Sequence, residues 1–428
     1  KNLRRIRMDN RVNKFLLISI DCWRYDALSR TNSTLRTPKF DLVTQDFSFA
    51  NRFFVTAPAT RPSHTSLFTG LYPFEHGLYG QTYLKMFDQI RNLFQIFDQA
   101  GYRMLGRSQR PDVFRFLDFE PYITLLDPNA EQQHLGALEN FLDALKSPEE
   151  SPQFCFLHLW YTHGGYGMGG VRSSPNLQQL VNQGKTEEAL QFYYAAVTHV
   201  LEFMLVEILK SLSLDEWAIF IFGDHGEGFC DEVMAHGDNL HQNVIRVPLL
   251  VNIPKTDRLV FPEDAPVSMI DLFPTILNLA KLDINYNGYG RDLLGDPKEF
   301  QDRWVLTELD SLYGVGFLKQ SNLETAHNRV TSRLKIDGQE ISRDPNGRRL
   351  WTLTDGEIFY REDEQNGNYV VRDIKSGTDL PCEDPATFKL KYDELLINSR
   401  YQHLQHQETS NEEVEILENR LRDLGYID

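Results

Sequence analysis

Three apolar runs that each end on a polar group constrain this chain more than any other feature. Residues 15–20 read Phe-Leu-Leu-Ile-Ser-Ile and lead to Asp21. Residues 154–160 lead to Tyr161-Thr162-His163, and residues 217–222 lead to Gly223-Asp224-His225-Gly226-Glu227. Short runs rich in β-formers read as parallel strands buried on both faces. Helical patterns separate them at 37–45, 87–99, 131–145, 186–210 and 269–280, the last with Pro274 in its first turns. Further strands are predicted at 47–55, 101–105 and 245–253. Strands alternating with helices predict an α/β fold built on a doubly wound, mostly parallel sheet. In such a sheet the strand C-termini converge on one crevice, where ligands bind.

From about Arg303 the pattern changes. Short β-like runs at 304–309, 330–336, 350–353, 357–360 and 369–374 are punctuated by Asp337-Gly338, Asn346-Gly347, Asp355-Gly356 and Asn366-Gly367. These signals predict a small antiparallel sheet. A charged helix is predicted at 412–424. The expected organisation is a catalytic α/β domain over 1–300 and a C-terminal subdomain over 301–428. Residues 164–183, rich in Gly, Ser and Asn, read as a loop beside the site.

Composition narrows the function. Of 428 residues, 41% are hydrophobic and 25% charged, as in an ordinary globular protein. No apolar run approaches the roughly 20 residues of a membrane helix, so no membrane anchor is expected. The apolar stretch at 15–20 is too short for an export signal. Cys22, Cys155, Cys230 and Cys382 are scattered, without disulfide-framework or CxxC spacing, which suits a reducing, cytoplasmic setting. A net charge of −17 argues against a nucleic-acid partner. A small anionic ester must then be held by a local positive site.

The stretch Thr60-Arg61-Pro62-Ser63-His64 is the candidate reaction centre. Pro62 suits the first turn of a new helix, so Thr60 falls at a helix N-terminus. Free N–H groups and the helix dipole favour an anion there. A hydroxyl so placed attacks phosphorus or sulfur once a cation or base activates it. Taken alone, Thr60 reads more readily as a plain N-cap. Asp21 alone also reads as an N-cap of a helix entered over 21–26, and Arg24 with Asp26 as a structural ion pair. What shifts the balance is that four segments bring Asp21, Thr60, Asp224 with His225, and His163 with His236 and His241 to strand ends of one sheet.

These motifs occur in a recognisable order. Pro62–Gly77 reads P-S-x-x-S-L-x-T-G-x-Y-P-x-x-H-G, followed by T-H-G at 162–164, G-D-H-G-E at 223–227, H-G-x-x-L-H at 236–241, R-V-P-L-L at 246–250 and D-L-F-P-T at 271–275. The chain resembles the sulfatase-like branch of the alkaline phosphatase superfamily almost end to end. It departs from that pattern at the nucleophile. Formylglycine-using sulfatases carry Cys or Ser in C-x-P-S-R, whereas Thr60 and His64 stand at those positions here. No cysteine has that motif around it, so no formylglycine is expected. The loop is similar to that of nucleotide pyrophosphatase/phosphodiesterases, and Asp21-Cys22-Trp23-Arg24 to phosphonate monoester hydrolases.

The resemblance implies a divalent ion, zinc or manganese, held by Asp21, Thr60, Asp224 and His225. It implies attack by the Thr60 alkoxide to give a phospho-threonine that water cleaves. His163 and His236 would hold the ester oxygens or protonate the leaving group, with the Arg61 backbone N–H as an oxyanion contact. His241 is a further substrate contact, or a partner of His163 and His236 in a second metal site. His64, Glu227 and Asp238 are expected to support these groups, and His158, His76 and His199 to be structural. Alternatives to phosphate-ester hydrolysis are sulfate-ester hydrolysis with an unmodified threonine, and phosphoryl transfer to an alcohol.

Overall fold

The computed structural model describes residues 11–81, 86, 90–126, 137–146, 152–163, 180–181, 183–229, 234–237, 239–254, 259–263, 265–310, 335–336, 339–340, 349–362 and 369–400. The central sheet contains β1 (Lys14–Ile20), β2 (Ser48–Phe49), β3 (Arg103–Ser108), β4 (Ile123–Leu125), β5 (Gln153–Leu159), β6 (Trp217–Gly223) and β7 (Leu249–Asn252). Their spatial order is β2-β7-β6-β1-β5-β3-β4. Neighbours among β1, β3, β4, β5 and β6 pair in parallel; β7 runs antiparallel to β6 and to β2. The expected doubly wound sheet is therefore present, with one reversed strand near an edge.

Register sets up the site. Ile20 of β1 lies level with Leu159 of β5 on one side and Gly223 of β6 on the other. The next residues, Asp21, Trp160 and Asp224, leave the sheet side by side. The period of two sorts every central strand between two cores. Phe15 and Leu17, Phe154 and Phe156, and Ala218, Phe220 and Phe222 enter one core; the intervening Leu16, Ile18, Cys155, Leu157, Ile219 and Ile221 enter the other. The first core is aromatic. Contacts such as Phe68 against Phe156, 5.1 Å apart and nearly perpendicular, contribute about 0.5–1.5 kcal/mol each beyond the area they bury.

The helix α1 (Thr60–Thr69) lies in that first core with all ten residues buried. It starts after extended Ala59, with Pro62 in its first turn. It stops at Gly70, whose φ of 72° is left-handed. A Cβ at Gly70 would come within 2.8 Å of both Phe273 and Tyr286, so only glycine fits this stop. Further helices among the described residues include α2 (Leu93–Gln99), α3 (Thr186–His199), α4 (Leu272–Leu279) and α5 (Pro385–Asn398). Residues Val200–Leu205 continue α3 as a π-helical turn, followed by Val206–Lys210. The whole segment Thr186–Lys210 is long and apolar enough to cross a membrane, but two thirds of its apolar stretch is buried inside the molecule.

The C-terminal sheet is an antiparallel meander of β8 (Val305–Asp310), β9 (Arg349–Thr354), β10 (Ile358–Glu362), β11 (Tyr369–Asp373) and β12 (Asp379–Pro381). It joins the main body where the chain approaches Thr60: Thr307 Oγ1 donates to Val55 O at 2.5 Å and Glu308 N to Thr56 O at 3.0 Å. Helix α5 covers its other side, with Tyr392 stacked on Trp351 at 4.4 Å.

Some local expectations differ. The strand predicted over 47–55 is split in two by a turn at Asn51 and Arg52. The strand predicted over 245–253 begins only at Leu249, because Gln242–Ile245 forms a helical turn and Pro248 has no N–H to donate. After Asp21 the chain turns instead of entering a helix, and Cys22 takes a left-handed φ of 56°. Residues 164–179, Asp238, Cys230 and the helix expected at 412–424 lie outside the described residues.

Candidate active site

Two strand ends and one helix start meet in a buried pocket. Asp21 follows β1, Asp224 and His225 follow β6, and Thr60 opens α1. Thr60 Oγ1 donates to Asp21 Oδ2 at 3.2 Å and lies 3.3 Å from His225 Nε2. His225 Nε2 is 3.8 Å from Asp21 Oδ1 and 3.7 Å from Asp224 Oδ2. Its other nitrogen bonds Gly226 O at 2.8 Å, which fixes the ring. A Cβ on Gly226 would sit 1.9 Å from Asn243 O, so this loop position admits no side chain. All four side chains are buried.

Asp21, Asp224 and His225 offer ligand atoms within 4.8 Å of one another. Oδ2 of Asp224 is buried without a hydrogen-bond partner. Burial by itself would raise Asp21, but the hydrogen bond from His158 and the charges of the surrounding imidazoles hold it well below the usual carboxylate range. Burial and the charge of Asp21 push Asp224 well above it. Two carboxylates in one dry pocket do not both ionise readily without a positive charge. The orphaned oxygen and the mixed N/O donors fit a divalent cation.

One member of this pocket was not expected. His158, on β5, places Nε2 3.3 Å from Asp21 Oδ2 and 3.9 Å from Asp224 Oδ2. Ser108 Oγ bonds its Nδ1 side at 2.9 Å. It therefore lies in the pocket, beside both carboxylates. The signal was the strand period: positions 154, 156 and 158 share the face on which α1 packs. His64 lies behind Thr60: its two ring nitrogens bond Thr60 O and Ser19 Oγ, both at 2.8 Å, while Ser63 Oγ donates to Asp224 O at 2.5 Å.

His163 and His236 line the mouth of the pocket, their rings 5.0 Å apart. His163 stacks on Trp160 at 4.3 Å, and Arg110 covers that indole at 4.6 Å. Burial pushes His163 down to about 4 despite the nearby charge of Asp21. His236 stacks on His225 at 4.3 Å and takes the Glu227 carboxylate at 3.1 Å from Nδ1. Cys22 also faces this group: Sγ donates to Asp21 Oδ1 at 2.9 Å and lies 3.6 Å from His236 Nδ1. Its left-handed backbone costs roughly 1–2 kcal/mol, which the contacts of this buried side chain offset.

The backbone N–H of Arg61, the expected oxyanion contact, donates to Gln81 Oε1 at 3.3 Å, while its side chain turns away from the pocket and donates to Val113 O at 3.2 Å and Arg115 O at 2.6 Å. His241 does not join His163 and His236. Its Nε2 faces Arg372 Nη1 of β11 at 2.9 Å, and burial followed by that guanidinium pushes its pKa down to about 3. Arg24 and Asp26 form the expected ion pair at 2.7 Å.

The sequence profile of the sulfatase family matches residues 13–282, which carry every strand end described above. The chain belongs to the sulfatase family. Human N-sulphoglucosamine sulphohydrolase is 24% identical over 303 residues, 61% of this chain and 60% of that protein. Aligned stretches cover 20–60% of the curated relatives' own lengths. Among solved structures, phosphonate monoester hydrolase of Agrobacterium radiobacter superposes with a TM-score of 0.65 at 18% identity, over 94% of this chain and 98% of that one. The C-terminal periplasmic domain of EcEptC from Escherichia coli, in complex with Zn, superposes at 0.55 and 17% identity, over 69% and 89%. These structural likenesses show a sulfatase-like fold.

Proposed function

We propose that this sulfatase-family chain is a metal-dependent hydrolase of phosphate esters that works through a phospho-threonine on Thr60. The observation that carries the reading is the position of Thr60 Oγ1, at a helix N-terminus and within 3.3 Å of both Asp21 and His225. A divalent cation, zinc or manganese, held by Asp21, Asp224 and His225 supplies the charge that makes a threonine hydroxyl acidic enough to attack. Thr60 gives up its proton along its hydrogen bond to Asp21 Oδ2, Oγ1 bonds to phosphorus, and the ester oxygen leaves with the electron pair of the broken P–O bond. His236, steadied by Glu227, provides the proton for that oxygen, and His163 holds a non-bridging oxygen. The Arg61 N–H, released from Gln81, donates to another non-bridging oxygen. Water then attacks the phospho-threonine and restores the Thr60 hydroxyl. Arg110, beyond Trp160, is the nearby positive group that offsets the chain's negative charge for an anionic substrate. The free thiols of Cys22, Cys155 and Cys382 suit a reducing compartment such as the cytoplasm.

The family match and the human sulphohydrolase favour a second reading, hydrolysis of a sulfate ester by unmodified Thr60. Metal-loaded protein should be assayed on the p-nitrophenyl esters of phosphate, phenylphosphonate, a phosphodiester and sulfate. Faster turnover of a phosphorus ester, lost by about a thousandfold or more in Thr60→Ala, supports the first reading. Sulfate as the best substrate replaces it with the second. Turnover that survives in Thr60→Ala overturns both.

A further inference from the structure

We propose that Arg110, stacked on Trp160, forms a subsite for a second anionic group on the substrate, a carboxylate or phosphate carried by the organic part of the ester. The inference rests on the proposed hydrolase reading and names the class of ester that the pocket takes. Sheet register places the subsite. Ser108 of β3 lies level with His158 of β5. Gln109 N donates to His158 O at 3.2 Å and Trp160 N to Gln109 Oε1 at 2.7 Å, so the two chains stay level as they leave the sheet and Arg110 emerges beside Trp160. On the other side of β5, Ile20 is level with Leu159, which brings Asp21 beside Trp160 as well. Arg110, Trp160 and Asp21 therefore stand in a row at the ends of the adjacent strands β3, β5 and β1. Neighbouring strands lie about 4.7–4.9 Å apart, so Arg110 leaves the sheet about 10 Å from Asp21.

The side chains make that place suitable for an anion. The indole of Trp160 has His163 stacked at 4.3 Å and the Arg110 guanidinium at 4.6 Å, and two groups this close to one ring cover its opposite faces. The indole thus stands between Arg110 and the ester oxygens that His163 reaches, so the guanidinium serves a different part of the substrate. Stacking uses the face of the guanidinium and leaves its edge, a rigid fork of N–H donors that matches the paired oxygens of a carboxylate or phosphate. The backbone under it is pinned: Arg110 N donates to Ser108 Oγ at 3.0 Å, Arg110 O accepts from Val113 N at 3.2 Å, and Pro111 opens the next turn. Arg110, Trp160 and His163 are all half-buried, so a ligand can reach them. Other arginines near the pocket are buried and spent within the protein: Arg24 on Asp26, Arg61 on two carbonyls, and Arg372 on Asp379. In a chain with a net charge of −17, a second anionic group gains only from such a local cation.

The test uses p-nitrophenyl phosphodiesters whose second arm is pentyl, ω-carboxypentyl or ω-phosphonopentyl, the charged arms being long enough to span the distance to Arg110. Turnover is measured with the metal-loaded full chain, and binding to metal-loaded Thr60→Ala by calorimetry, which needs no catalysis. An anionic arm should raise kcat/KM about tenfold or more over the pentyl ester, chiefly through KM, and tighten binding to Thr60→Ala by a similar factor. The better of the two charged arms identifies the group. Arg110→Gln should bring both ratios close to one, and Arg110→Lys, which keeps the charge without the fork, should retain part of them. Equal binding of charged and neutral arms to Thr60→Ala overturns the subsite, as does a preference that survives Arg110→Gln. If the wild type hydrolyses none of the three esters, the phosphodiesterase form of the hydrolase reading fails, and the binding ratios still decide the subsite.

Discussion

His158 Nε2 lies 3.3 Å from Asp21 Oδ2 on the buried floor of the pocket, with Ser108 fixing the far side of the ring. A histidine held in this way would orient the carboxylate that the proposed cation needs. Groups in such positions typically change metal affinity 10–100-fold when removed. His158→Gln should therefore weaken divalent-metal binding by about 10–100-fold while the protein remains folded. A metal titration followed by calorimetry checks this; unchanged affinity would mean that His158 only fills space.

Gly226 follows His225 directly, and a Cβ there would lie 1.9 Å from Asn243 O. That neighbour is backbone, so the loop carrying His225 must shift. Gly226→Ala should cost about 3 kcal/mol or more of stability and reduce activity further than the stability loss alone explains. Urea unfolding together with kcat at a temperature where the variant is fully folded separates the two effects.

Much of this arrangement is legible in the sequence, and the exceptions share a cause. Asp21, Asp224 and His225 are readable because each ends an apolar run, and parallel strands in register must bring those ends together. Thr60 is readable from Pro62 and the hydroxyl-rich helix start. His158 also lies on a readable period, but a histidine inside an apolar strand resembles a satisfied core residue until the opposing helix is known. Cys22 hides behind an expected helix; only its left-handed backbone brings Sγ onto Asp21. His241 is grouped with His163 and His236 by motif spacing, yet its partner Arg372 comes from a C-terminal strand 131 residues away. Tertiary contacts of that separation leave no local signature.

Glu75 offers a test of the fold away from the chemistry. It is buried, accepts from Tyr72 N at 3.0 Å and from Ser399 Oγ at 3.2 Å, and its pKa is pushed up to about 7 by burial. Its folded pKa exceeds the ordinary glutamate value of 4.5, so between pH 4.5 and 7 the folded state binds more protons than the unfolded one. The stability this provides is full below 4.5 and lost as pH rises through 7, about 3 kcal/mol in all. Glu75→Gln should flatten that part of the pH profile. Denaturant unfolding of both proteins at pH 5 and pH 8 measures the difference; parallel changes in the two would show that Glu75 titrates normally.

Asp224 should reveal the cation through stability. In metal-free protein its carboxyl is pushed up by burial and by Asp21, so ionising it works against the fold. A cation at 100 times its dissociation constant would add about 2.7 kcal/mol, and chelation should lower Tm and abolish turnover until metal is restored. Asp224→Asn removes the like charge and with it one ligand. At pH 8 the metal-free variant should melt above metal-free wild type, and its Tm should no longer respond to added zinc or manganese. The sign distinguishes this from ordinary core damage, which lowers Tm with and without metal. A variant that melts lower than wild type in chelator, or that keeps the full metal-induced rise, would remove Asp224 from the metal site.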